Sequence, residues 1–172
     1  EEAHLTNVKI GESALPRLAA FAGARTAETQ INFGVLRMSS VKMTLGSIEL
    51  PSFDATLTLT PTGAFQKAQI QHPKIQLDLV PIKESGSLRV NFNGKGIEST
   101  IGPGIEYTFL SGTAVVDMRQ AVISNLDGRF ANGSLTGGLT LSWGDKQFRS
   151  QGEINLKGAD LALLLPGFTR EF

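Results

Sequence analysis

Cysteine is absent from the 172 residues, which removes disulfides, thiolate nucleophiles and every Cys-based zinc site. Histidine is nearly absent. His4 stands at the start and His72 beside Pro73, and no Gly-x-Ser-x-Gly elbow accompanies either, so a Ser-His-Asp triad has no support. No two His or carboxylates stand at ligand spacing on one element. Neither sign of charge dominates: 16 basic and 16 acidic side chains cancel, which argues against a nucleic-acid binder with its basic stripe. One Trp and one Tyr are too few aromatic platforms for a carbohydrate site. Long apolar runs are missing as well. The longest, Leu161-Ala162-Leu163-Leu164-Leu165, falls far short of the roughly 20 residues of a membrane span, and the opening residues do not read as a signal peptide.

What is present is a chain of ordinary domain size, long enough to bury roughly 70% of its unfolded surface. It has 41% hydrophobic residues and 19 glycines. After an extended segment from Leu5 to Ile10, one helix is expected. Ser13 caps it, Pro16 sits early, Leu15, Leu18, Ala19 and Ala22 recur at helical spacing, and Gly23 stops it. With Leu15, Leu18 and Phe21 on one face, it suits a plug at one end of a sheet or a docking element.

From there the period becomes 2. Val41, Met43 and Leu45 alternate with polar neighbours, Gly46 reads as a bulge, and Ile48 and Leu50 follow. Phe53, Ala55, Leu57 and Leu59 alternate, as do Ile75, Leu77 and Leu79; Leu88, Val90 and Phe92; and Ile105, Tyr107 and Phe109. The longest strands carry Leu135, Leu139, Leu141 and Trp143 on one face, then Phe148, Ile154 and Leu156. Pro51-Ser52, Pro61-Thr62-Gly63, His72-Pro73 and Gly102-Pro103-Gly104 read as turns. Asp127-Gly128, Asn132-Gly133 and Gly144-Asp145-Lys146 read as hairpin connections. The expected fold is mainly β, an antiparallel meander of about 11–12 strands with one short N-terminal helix. Because nearly every strand has one apolar face, the sheet must close into a barrel, pack as a sandwich or bend into a trough. Residues 1–172 are expected to form one β-rich domain: a strand and capping helix over 1–25, the sheet over 26–165 and a tail over 166–172.

Nothing in these residues selects a catalytic constellation, a metal site or a cofactor. Gly94-Lys95-Gly96 lacks the later glycine and the helix of a phosphate loop and reads as a turn. Asn132-Gly133-Ser134 fits a glycosylation sequon, but its hairpin role explains it fully. Asp117, Asp127, Asp145 and Asp160 are scattered through turns and strand ends, where Asp makes local backbone hydrogen bonds. The chain is therefore expected not to be an enzyme.

The run Leu126-Asp127-Gly128-Arg129-Phe130-Ala131-Asn132-Gly133-Ser134-Leu135-Thr136-Gly137 and its continuation from Gly152 to Leu164 resemble the C-terminal region of the AsmA-like family of bacterial envelope proteins. There a Gly-rich hairpin leads to an Asp-Leu-Ala-x-Leu segment, which Asp160 to Leu164 matches. The resemblance is clearest over residues 110–165. It implies a periplasmic module of a longer parent anchored in the inner membrane, and Glu1-Glu2 then suggests an excised domain. It also implies a bridge-like lipid-transfer trough with an apolar interior, linked to outer-membrane biogenesis.

On that reading the partner is a phospholipid or another envelope lipid, with outer-membrane assembly proteins as further partners and no nucleic acid. The candidate groove residues are Val41, Met43, Leu45, Leu57, Leu59, Ile75, Leu77, Leu79, Leu88, Val90, Phe92, Leu139, Leu141 and Ile154. The alternative is a β-sandwich scaffold or protein-interaction module of an envelope assembly machine, in which the same residues are ordinary core.

Overall fold

The computed structural model describes residues 2–10, 34–45, 48–49, 51–83, 85–98, 106–144, 147–160 and 162–163; of 44–45, 48–49, 144 and 147–148 it describes the backbone alone. Within these residues the chain is mainly β, with thirteen strands that are antiparallel in most pairings. The expected helix over 13–23, the bulge at Gly46 and the turn Gly102-Pro103-Gly104 lie outside the described residues. No helix among the described residues is long and apolar enough to cross a membrane. The chain divides into two compact units, Glu1–Leu88 and Arg89–Phe172.

The first unit holds β1 (Glu2–Thr6), β2 (Lys9–Ile10), β3 (Val35–Leu45), β4 (Ile48–Glu49), β5 (Phe53–Leu59), β6 (Phe65–His72) and β7 (Ile75–Ile82). Its strands bond in the order β1-β3-β5-β6-β7, with β2 and β4 also beside β3. From β3 onward this is the expected antiparallel meander, but β1 and β2 run parallel to β3. A parallel partner is reached by a crossover, not a tight turn, so it leaves no hairpin signal in the sequence. Both strands step aside together, with Asn7 at φ 55° and Ser40 at φ 54°. The Ser40 N–H is held by the Asp54 carboxylate at 2.9 Å. Pro61-Thr62-Gly63 forms the β5–β6 turn as expected, closed by Gly63 N–H to Thr60 C=O at 2.8 Å.

In the second unit, β8 (Ser87–Gly94), which enters it at Arg89, is followed by β9 (Ile97–Glu98), β10 (Glu106–Val116), β11 (Gln120–Phe130), β12 (Gly133–Gly144) and β13 (Gln147–Lys157). The order is β8-β10-β11-β12-β13, with β9 beside β10. Gly94-Lys95-Gly96 is the β8–β9 turn, as expected. Gly144 pairs with Gln147, which places a two-residue hairpin connection where Gly144-Asp145-Lys146 indicated one.

Two readings are corrected here. Asp127-Gly128 is not a hairpin: both residues lie inside β11, paired with Ser111 and Leu110 on one side and Thr136 and Leu135 on the other. Glycine is used there for clearance, since a methyl group on Gly128 would come within 2.8 Å of the Phe109 carbonyl oxygen. The real turn follows, with Ala131 (φ 47°) and Asn132 (φ 63°) at its centre and Phe130 paired to Gly133. Positive φ at both central residues suits the twist of a two-residue hairpin. Second, the alternation through Tyr107 and Phe109 does not continue along one face. A register shift between them pairs Tyr107 with Phe130 but Phe109 with Arg129, so Phe109 joins the opposite face.

The core of this unit is Leu126, Phe130, Ala131 and Leu135, against which Phe92, Tyr107, Leu110, Ile123, Leu139 and Ala159 pack. The rings of Tyr107 and Phe130 stack with centroids 4.7 Å apart. The segment after β13 is tied to the β11–β12 turn by Asp160 N–H to Ala131 C=O at 2.7 Å.

Candidate functional site

Register, more than any single side chain, builds the candidate site. In the first unit Ala3, Leu36, Leu57, Ala68 and Leu79 stand side by side across β1, β3, β5, β6 and β7. Leu5, Met38, Ala55, Ile70 and Leu77 form the adjacent row. No polar residue interrupts either row. Small and large alternate, with Ala68 between Leu57 and Leu79 and Ala55 between Met38 and Ile70. Ala55 and Ala68 are buried beneath their neighbours, while Leu36, Met38, Leu57, Ile70, Leu77 and Leu79 are half-buried and Leu5 is 48% exposed. Five strands spaced by about 4.8 Å carry such a row over about 19 Å.

The opposite face is polar and serves to fix that register. His4, Arg37, Thr56, Gln69 and Asp78 line up across the same five strands. Arg37 donates to both carboxylate oxygens of Glu2 at 3.2 Å, tying β1 to β3. That contact holds the Glu2 carboxyl below its usual range and raises the Arg37 guanidinium above its own. Asp78 is likewise lowered, by Lys67 at 3.0 Å and by the Gln69 amide at 3.0 Å. These groups are solvent-exposed ion pairs and cross-strand hydrogen bonds of the kind that stabilise a sheet modestly. None of them is desolvated as a catalytic acid or base would be.

In the second unit the corresponding rows are Val116, Ala121 and Leu141; Ala114, Ile123, Leu139 and Gly152; Leu126, Gly137 and Ile154; and Leu110, Gly128, Leu135 and Leu156. Three of these four rows contain a glycine where backbone or a neighbouring side chain passes close above. A side chain on Gly152 would run into the Gly138 carbonyl and Leu139, and one on Gly137 into Glu153. Gly112, on β10, is roofed by Phe92, whose ring would meet an added methyl at 2.7 Å. Gly137 and Gly152 thus allow close approach of the β12 and β13 backbones, while Gly112 and Gly128 leave room for Phe92 and Leu110; at β13 the face is more open. There Ile154 is 52% and Leu156 37% exposed.

Of the groove residues expected from sequence, Val41, Leu57, Leu59, Ile75, Leu77 and Leu79 share the apolar face of the first unit, and Met43 follows Val41 two residues along β3. Val41 is fully buried and Leu59 nearly so, which makes them packing positions within that face. Leu45 pairs with Ile48 at the end of β3. Leu88, Val90 and Phe92 are half-buried along one side of β8 while Arg89, Asn91 and Asn93 are exposed. Leu139, Leu141 and Ile154 share the apolar face of the second unit.

Sequence reasoning passed over Leu36, Met38, Ala68 and Ile70 in the first unit and Leu126 and Leu110 in the second. Ala68, Ile70 and His72 do alternate with Lys67, Gln69 and Gln71, a signal weakened by the small Ala68. Neither histidine is built into a site. His4 lies 3.5 Å from the Glu2 carboxylate at the surface, and His72 Nδ1 accepts a hydrogen bond from the Lys74 N–H across its turn at 3.2 Å. Among the described residues no group of three or more His, Asp or Glu is placed to hold a metal ion. Comparison with protein-family models, with curated proteins and with solved structures gives no match to this chain.

Proposed function

We propose that the chain is a non-enzymatic module of an AsmA-like envelope protein, working in the periplasm, that holds or shields lipid acyl chains along the apolar face of its β-sheet. The observation that carries the reading is the pair of uninterrupted apolar rows in the first unit, half-buried across five strands and backed by a wholly different, polar face. An acyl chain lying across these rows gains about 0.8 kcal/mol per buried methylene. Head groups stay at the polar margin. Since no hydrogen bond or ion pair is needed along the rows, the bound chain has no deep minimum and can slide.

The resemblance of residues 110–165 to the AsmA-like pattern supplies the cellular setting: a parent anchored in the inner membrane, with phospholipid or another envelope lipid as cargo for outer-membrane biogenesis. The alternative, a protein-interaction scaffold, draws on β13, whose Ile154 and Leu156 are exposed on a strand that pairs only with β12 among the described residues. Fluorescent fatty-acid titration separates the two. Saturable binding that Leu77→Arg abolishes, with the far-UV circular dichroism and melting of the variant retained, supports the lipid reading. Absence of binding in a folded wild-type sample sinks it.

A further inference from the structure

Nine large hydrophobic side chains are markedly exposed among the described residues, and four of them gather at one place, the tip of the β10–β11 hairpin. Met118, at its apex, is 88% exposed. Trp143, on the neighbouring strand β12, is 38% exposed, and Val115 and Val122 are 36% and 39% exposed. The two valines are directly paired on what is elsewhere the polar face of this unit, where Thr113, Ser124, Asp127 and Thr136 stand. Trp143 follows Leu141 on the other face. The hairpin tip therefore carries apolar side chains on both sides and at its end.

The turn is also built to keep Met118 out. The Asp117 carboxylate accepts the N–H groups of Arg119 and Gln120 at 2.7 and 2.9 Å. The Asp117 N–H donates to Gln120 C=O at 2.9 Å. From β12, Trp143 donates its indole N–H to Met118 C=O at 3.0 Å and its backbone N–H to Arg119 C=O at 2.8 Å. Five hydrogen bonds thus fix a four-residue turn whose apex side chain touches almost nothing. Arg119 stands exposed beside it, and the one carboxylate described in the turn is engaged with the backbone.

The geometry points to this tip as a membrane-surface contact: Met118 enters the interfacial region of an anionic bilayer, Trp143 and the two valines follow to headgroup depth, and Arg119 meets a lipid phosphate. A bilayer fits better than a protein pocket. A single turn offers far less than the roughly 1,200 Å² of a stable protein interface, whereas a few inserted apolar side chains beside a cation suffice for reversible membrane binding. Aromatic residues with one apolar and one polar edge favour that depth. The inference does not depend on the lipid-groove reading, because it concerns a different unit and a different part of the lipid.

Trp143 is the only tryptophan in the chain, so its emission reports the tip alone. With the full chain and vesicles of phosphatidylcholine containing 30% phosphatidylglycerol (roughly the charge that makes juxtamembrane basic residues count), the expected result is a blue shift together with co-sedimentation. Salt should weaken both, and pure phosphatidylcholine vesicles should bind less. Met118→Asp should lower partitioning at least about tenfold, the loss of one buried apolar side chain. Arg119→Gln should lower it about fivefold on anionic vesicles only. Gln71→Ala, on the polar face of the other unit, should leave it unchanged. Vesicle binding without a shift at Trp143, binding unaltered in Met118→Asp, or no binding to either vesicle would each overturn the inference; the last would leave a protein pocket as the partner of the tip.

Discussion

Gly128 gives a sharp test of the second unit, because the turn expected from its dipeptide and the strand observed assign it opposite tolerances. Within β11 its backbone is extended and paired on both sides, and the space for a side chain is taken by the Phe109 carbonyl oxygen at 2.8 Å and the Leu110 Cδ1 at 3.0 Å. Gly128→Ala removes chain entropy from the unfolded state, a gain of about 0.5–1 kcal/mol. Overpacking against a backbone oxygen that a register shift has already displaced costs about 1–3 kcal/mol. The net loss centres on about 1 kcal/mol within a span of about 0–2.5 kcal/mol, a central fall in Tm of about 2–4 °C for a chain of this size. Gly128→Asn, larger and polar at a buried position, should lose more. At the centre of a hairpin turn the order reverses, because Asn accepts positive φ far better than Ala. Urea and thermal denaturation followed by circular dichroism decide between them, and Asn tolerated better than Ala refutes the strand assignment.

Two further expectations concern register and turn. Asn132→Val puts a β-branched residue at φ 63° and should destabilise by about 1–2 kcal/mol, read as a lower urea midpoint at unchanged m; an unchanged midpoint would contradict the Ala131-Asn132 turn. The Asp78 carboxyl is held below its ordinary value of 3.8 by Lys67 and Gln69. Its contribution is therefore complete above that value and is lost as pH falls through the lowered folded value. For an exposed pair it amounts to about 0.2–1 kcal/mol. Asp78→Asn should flatten the acid limb of a stability–pH profile below 3.8 by that amount, and an identical limb in both proteins would show the contact to be inert.

The contrast between legible and illegible strands is physical. β5 reads directly from sequence because Phe53, Ala55, Leu57 and Leu59 keep one phase and a Pro-Thr-Gly turn closes the strand. β11 does not, for two reasons. Asn125 at φ 52° sits in a register shift between Ile123 and Leu126, so the apolar phase of Ala121 and Ile123 passes to Leu126, Gly128 and Phe130. A window that assumes strict alternation sees two half-patterns and takes the Asp-Gly pair inside the second for a turn. Of β1 only Leu5 and Thr6 fall in the extended segment read from sequence, which runs on through Asn7 into β2, since the partner β3 is distant in sequence and parallel. The apolar face was recovered through Leu57, Leu77 and Leu79, but its continuity was not. The rows exist because Leu36, Ala55, Ala68 and Ile70 fall into register with those residues, and register across four strands is set by turns and bulges that composition does not reveal.

The central claim is that the apolar rows take acyl chains, and organic extraction of the purified chain followed by mass spectrometry tests it most directly. The account predicts lipid in stoichiometric amount from the wild type and its loss from folded Leu77→Arg. An extract empty of lipid from well-folded wild-type protein, or lipid retained at the same ratio in the variant, would contradict it.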